Sequence, residues 1–145
     1  PSRIYPQKNL FSHILGQTDD ANEGISGVEK FFDKNLNNED KINLPLSLTL
    51  DSNLQHLIRR ELVNAEADFH NIGSGAILMN VENGEILSLV SLPDYDLNQR
   101  VSISDNIYTN KITLGVYEFG SVFKTFTIAA GLENKVINSN TIFKN

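Results

Sequence analysis

The chain has 145 residues, with 12 Lys and Arg against 18 Asp and Glu, for a net charge of −6. That balance argues against nucleic acid as a partner, since a polyanion is held by clustered cations. Cysteine is absent, which excludes disulfides and thiolate metal sites, and no run of roughly 18 apolar residues is present to span a bilayer.

Residues 1–44 alternate short apolar patches with Asn, Asp and Gly clusters, which reads as small helices in a loop-rich segment. Within it Val28, Phe31, Phe32 and Leu36 recur at helical spacing, so one helix over residues 26–36 is expected, with that stripe in the core. Acidic residues collect at Asp19, Asp20, Glu23, Glu39 and Asp40 and are expected on solvated loops. The polar run 35–43 is the expected linker, and the expected domain boundary follows residue 44.

From Leu44 to Leu50 apolar and smaller residues alternate as in a strand. Ser52 and Gln55 fit a capping box that opens a helix. Its sheet-facing side is expected to carry Leu54, Leu57, Ile58, Glu61, Leu62, Ala65 and Phe69, leaving Arg59, Arg60, Asn64 and Asp68 wet. Asn83-Gly84 then signals a two-residue hairpin turn. Such a turn pairs Val81 with Ile86, Met79 with Ser88 and Ile77 with Val90, and puts Ala76, Leu78, Leu87 and Leu89 on the other face. Both faces are largely apolar, so the sheet needs cover on both. The helix over residues 52–69 is expected on one side and the helix after Gly120 on the other.

Tyr117-Glu118-Phe119-Gly120-Ser121-Val122-Phe123-Lys124 carries the chemistry. Lys124 is the only charge in a run whose apolar residues leave no polar face, so the helix is expected to be buried all round. Burial disfavours the ammonium and lowers the amine's pKa. A three-residue step returns to nearly the same helix face and brings that amine towards the Ser121 hydroxyl, which is a poor nucleophile until a base takes its proton. Gly120 leaves room for a substrate to approach, and the helix start favours developing negative charge. The plainer alternative makes Ser121 an ordinary first-turn residue and lets Lys124 snorkel to the surface. His13, His56 and His70 lack ligand spacing, so neither a metal nor another cofactor is expected.

Serine-x-x-lysine is one of the signature motifs of penicillin-binding proteins and β-lactamases. The segment Tyr117–Lys124 closely resembles the active-serine segment of class B penicillin-binding proteins, in particular of the division-specific type. Leu48-Thr49-Leu50-Asp51-x-x-Leu54-Gln55 resembles the entry to that family's transpeptidase domain. Asn83 to Ser91 with Pro93, Tyr95, Asp96 and Asn98 is similar to its first hairpin and following loop, and Asn110-Lys111 to the pair preceding the serine helix. Arg3-x-Tyr5-Pro6, His13-Ile14-Leu15-Gly16 and Gly24-x-x-Gly27-Val28-Glu29 resemble the non-catalytic pedestal. The chain departs from the family at Phe119 and Leu97, where proline is usual. It also ends at Asn145, before the family's serine-x-asparagine and lysine-threonine-glycine motifs, and begins with Pro1, so a piece of a longer polypeptide is expected.

The resemblance implies an α+β fold, an antiparallel sheet flanked by helices, with residues 1–44 as a pedestal or dimerisation-type segment and 45–145 as the first part of the transpeptidase domain. It implies acyl transfer in peptidoglycan cross-linking, with Ser121 as nucleophile, Lys124 as base, and Gly120 and Glu118 lining the substrate. Stem peptides, β-lactams, and glycan-polymerising or cell-division membrane proteins are the implied partners, on the periplasmic side of the bacterial inner membrane. Self-association of the piece is expected if apolar surfaces lack their cover. Two other readings stand beside this one: a non-catalytic interaction module, and a β-lactamase or β-lactam sensor.

Overall fold

A computed structural model describes residues 3–38, 45–99 and 107–143. The architecture is α+β. Three short helices, α1 (Ser12–Leu15), α2 (Gly27–Phe31) and α3 (Asp33–Leu36), precede the long α4 (Ser52–Phe69). Strands β1 (Ser74–Met79) and β2 (Ile86–Leu92) form an antiparallel pair, and a 3-10 turn over Gly120–Phe123 leads into α5 (Lys124–Glu133). The chain divides into two compact units at Gly115/Val116. Among the described residues no helix is long and apolar enough to cross a membrane.

The single helix expected over residues 26–36 is two helices, because the backbone leaves helical geometry at Phe32. The break carries Phe31 outward, 82% exposed, and its ring meets Phe32 edge-on at 4.8 Å instead of joining a core. Glu29 is the buried member of α2, paired with Arg3 at 3.3 Å and accepting from the Tyr5 hydroxyl at 3.2 Å. Asp19 folds its own loop, taking the N–H groups of Ala21 and Glu23, both at 2.9 Å. The expected boundary after residue 44, Glu39, Asp40 and part of the expected linker lie outside the described residues.

No strand forms over residues 45–50; the Thr49 hydroxyl donates to Ile86 O, and just beyond the stretch Asp51 N–H donates to Leu87 O. Helix α4 has the expected bounds, but Asp51 caps it through Asn53 and Leu54 N–H. It stops where His70 turns left-handed at φ 52°. Freed from capping, Gln55 turns inward and is buried, and the covered face is centred on Gln55, Ile58, Arg59 and Leu62, with Leu57, Glu61 and Phe69 exposed. The expected wet and covered faces are therefore rotated, and Arg59 belongs to the inner one.

The hairpin exists with a longer turn. A two-residue type I′ turn needs positive φ at both central residues, whereas only Gly84 has it, at 79°. Gly84 N–H instead reaches back to Asn80 O, and a register irregularity follows between Leu78 and Met79. Ile77 pairs with Leu89 and Leu78 with Ser88, one residue away from the expected pairing. A one-residue slip exchanges faces. Ser88, Val90 and Leu92 thus share the face of Ala76 and Leu78, and all three are buried. On the opposite face the cover is partial: Lys111 N–H bonds the Ser91 hydroxyl at 2.9 Å and Ile112 fills the space that Gly75 leaves, while Ile77 and Met79 stay half exposed.

Candidate functional site

Tyr117 to Phe119 run into Gly120, whose φ of 56° suits a residue without Cβ and whose empty side meets no heavy atom within 4 Å. The chain then closes a 3-10 turn in which Val122 N–H bonds Phe119 O and Lys124 N–H bonds Ser121 O. An α-helix would set residues three apart about 60° off the same line, given 3.6 residues per turn. The 3-10 turn has three per turn, so positions 121 and 124 eclipse. Local backbone geometry therefore puts serine and lysine on one face.

Their environment differs from the expectation. No residue of the turn or of α5 is buried, and Ser121, Lys124, Gly120 and Glu118 are all exposed. The helix expected to be buried all round presents Val122, Phe123 and Phe126 to solvent. No hydrogen bond joins the Ser121 hydroxyl to the Lys124 amine among the described residues. The local turn supplies the alignment, and the expected burial of the amine is not found among the described residues.

A second polar cluster, without a signal in the helical or strand periodicity, lies in the first unit. The Gln55 amide is fully engaged: Nε2 donates to Leu10 O and Leu89 O, both at 2.8 Å, while Oε1 accepts from the Ser88 hydroxyl at 2.7 Å and Leu89 N–H at 3.0 Å. Arg59 forks onto Asp94, Nε to Oδ2 at 2.6 Å and Nη2 to Oδ1 at 3.0 Å, and Asn9 Nδ2 adds a third donor at 3.2 Å. The hydrogen bond to Asp94 holds the Arg59 guanidinium above its usual pKa. Burial lowers the His13 pKa and pushes Tyr95 up to about 12. The two rings meet edge-on at 5.3 Å. Tyr5 is raised by burial and then by the Glu29 charge. Tyr95-Asp96-x-Asn98 was the available pointer to the loop that carries Asp94; in it Asp96 Oδ1 accepts the Asn98 N–H at 2.9 Å and the Asn98 Nδ2 at 3.1 Å.

Residues 74–145 match the family model described as penicillin binding protein transpeptidase domain. The chain is 35% identical to stage V sporulation protein D of Bacillus subtilis, over 94% of this chain and 25% of that protein. It is 34% identical to a probable peptidoglycan D,D-transpeptidase FtsI of Caulobacter vibrioides, over 97% of this chain and 24% of that protein. Penicillin binding protein 3 of Mycobacterium tuberculosis superposes with a TM-score of 0.79 at 20% identity, covering 98% of this chain and 34% of the other, which speaks for the fold. The chain spans about a quarter of the length of the curated relatives. With Gly120, Ser121 and Lys124 inside the matched stretch, the chain belongs to the penicillin-binding transpeptidase family.

Proposed function

We propose that this chain carries the nucleophile of a class B, division-type peptidoglycan D,D-transpeptidase, with residues 1–44 as pedestal and 45–145 as the first part of the catalytic domain. The single observation that carries the reading is the 3-10 turn in which Lys124 N–H bonds Ser121 O, inside the stretch that matches the transpeptidase family. The Ser121 hydroxyl attacks the carbonyl between the last two D-alanines of a stem peptide while the Lys124 amine takes its proton. The tetrahedral oxyanion, held partly by the Ser121 N–H, collapses and expels the terminal D-alanine, whose nitrogen receives a proton. An amine of a neighbouring stem then displaces Ser121 from the acyl-enzyme, giving up a proton as the hydroxyl is restored, and the cross-link is made. No cofactor enters. The open side of Gly120 is the approach for substrate, with Glu118 at its margin.

A β-lactam acylates the same hydroxyl with rupture of its ring C–N bond. A lysine serves as base only without its proton, a state that apolar cover favours. The reaction therefore requires cover over Lys124 beyond that given by the described residues. On this reading the protein works on the periplasmic side of the inner membrane beside glycan-polymerising and cell-division proteins; the likeness to a sporulation protein and to a peptidoglycan D,D-transpeptidase supports its cell-wall role.

The test is fluorescent-penicillin labelling of the whole protein. A covalent adduct is expected that is lost in Ser121→Ala and slowed strongly in Lys124→Ala; an undiminished adduct in Ser121→Ala rejects the assignment. An adduct that hydrolyses within minutes would favour a β-lactamase or sensor instead.

A further inference from the structure

Among the described residues the buried apolar side chains are Val90, Leu92, Tyr95 and Leu97, and the last two lie in the loop after β2. This loop is gripped from both sides. From the first segment, Asn9 donates to Asp94, His13 Nε2 bonds Pro93 O at 3.1 Å, and the Tyr95 hydroxyl reaches Ser12 O at 3.4 Å. Asn98 pairs with the Tyr5 backbone as a neighbouring strand would, accepting Tyr5 N–H at 2.9 Å and donating to Tyr5 O at 2.8 Å. From α4, Arg59 holds Asp94 with both arms of its fork. Beneath the loop, Gln55 joins Leu10 O to Leu89 O.

We propose that residues 93–99 form a strap that locks residues 3–16 onto α4 and β2 as one cooperative unit, with Asp94 as the point where the first segment and α4 meet. The argument is one of shared partners. Residues 3–16 cannot move off without taking the Asn9 donor from Asp94, breaking both Tyr5 bonds, and parting His13 from Pro93 O and the Tyr95 hydroxyl from Ser12 O. A buried carboxylate or carbonyl left unpaired is costly, so intermediate openings are disfavoured relative to a single concerted one. A hinge between independent modules would instead cross a seam of few, exposed contacts. The inference stands apart from the acylation chemistry: it says that the pedestal-like segment is not a detachable module, whatever Ser121 does.

Native-state hydrogen exchange of this chain across a low-urea series tests it. The amides to follow are Leu15 and Gly16, which donate to Phe11 O and Ser12 O, against Gln55, which donates to Asp51 O, and Leu89, which donates to Gln55 Oε1. The expected result is convergence of all four onto one exchange isotherm. In Asp94→Asn all four should lose protection together, by about tenfold, because a charge-assisted fork is weakened. If Leu15 and Gly16 open at lower urea while Gln55 and Leu89 keep their protection, in the parent chain or in the variant, the strap is refuted. Should Asp94→Asn fail to fold, Asn98→Ala, which removes the Tyr5 pairing and one bond within the loop, to Asp96 Oδ1, is read by the same criterion.

Discussion

The Ser88 hydroxyl donates to Gln55 Oε1 at 2.7 Å, and both residues are buried, so a strand and a helix separated by 33 positions share one polar bond inside the core. The Gln55 amide has no unused donor or acceptor. Gln55→Ala would strand the Leu10 and Leu89 carbonyls together with the Ser88 hydroxyl. The urea midpoint of the chain should fall with the slope unchanged, a loss of about 2–4 kcal/mol. A change under about 0.5 kcal/mol would mean that water replaces the amide without penalty.

Two adjacent arginines offer an internal contrast. Arg59 pairs with Asp94 where the carboxylate side chain is 11% exposed, whereas Arg60 and Glu61 pair at 2.7 Å in the open. Arg59→Ala should cost about 1–3 kcal/mol by leaving Asp94 short of its fork. Arg60→Ala should stay within about 0.5 kcal/mol. Denaturation of the two variants side by side checks the order, and equal losses would contradict the burial argument.

His13 sets a pH dependence. Burial is the largest influence and lowers its pKa; the Pro93 carbonyl and the Asp94 charge act the other way, and the Lys111 charge lowers it further. Above the ordinary value of 6.5 both folded and unfolded chains hold a neutral ring, and the contribution to stability is complete. As the pH falls through that value the unfolded chain takes up the proton first, so stability is lost from there down through the lower folded value. Thermal unfolding between pH 8 and 5 should show this decline, and His13→Gln should flatten it. An unchanged slope in the variant would assign the decline to other groups.

Glycines at positive φ should differ according to their surroundings. A Cβ on Gly16 would lie 2.1 Å from Ser26 O, while one on Gly120 meets nothing within 4 Å. Gly120→Ala should therefore cost only the left-handed backbone penalty, about 1–2 kcal/mol. Gly16→Ala should cost clearly more, because backbone has to move. Equal midpoints would show that the Gly16 turn yields without cost.

Phe123 and Phe126 face solvent with their rings 5.4 Å apart. Contiguous apolar surface of this kind favours self-association. Light scattering of the chain should report a mass that rises with concentration, and Phe123→Ser with Phe126→Ser should suppress the rise. A monodisperse monomer over a wide range of concentration would remove the expectation.

Much of the local structure was legible in the residues. Apolar periodicity and the polar residues at its start sufficed for α4, from Ser52 to Phe69, and Asn83-Gly84 marked the hairpin. Serine and lysine three positions apart marked the candidate site, while the 3-10 turn that brings the two positions onto one face was not anticipated. These features depend on neighbours within a turn or two of the chain. The rest was decided by partners far along it. Whether Gln55 caps its own helix or turns inward depends on Leu10 and Leu89, 45 and 34 positions away. Arg59 belongs to the inner face because Asp94, 35 positions on, has a place for its fork. The register slipped by one residue because Asn83 keeps a negative φ, and the exposure of Lys124 follows from what packs around α5. Periodicity encodes which residues can share a face, whereas burial and hydrogen-bond satisfaction are settled only when distant segments meet.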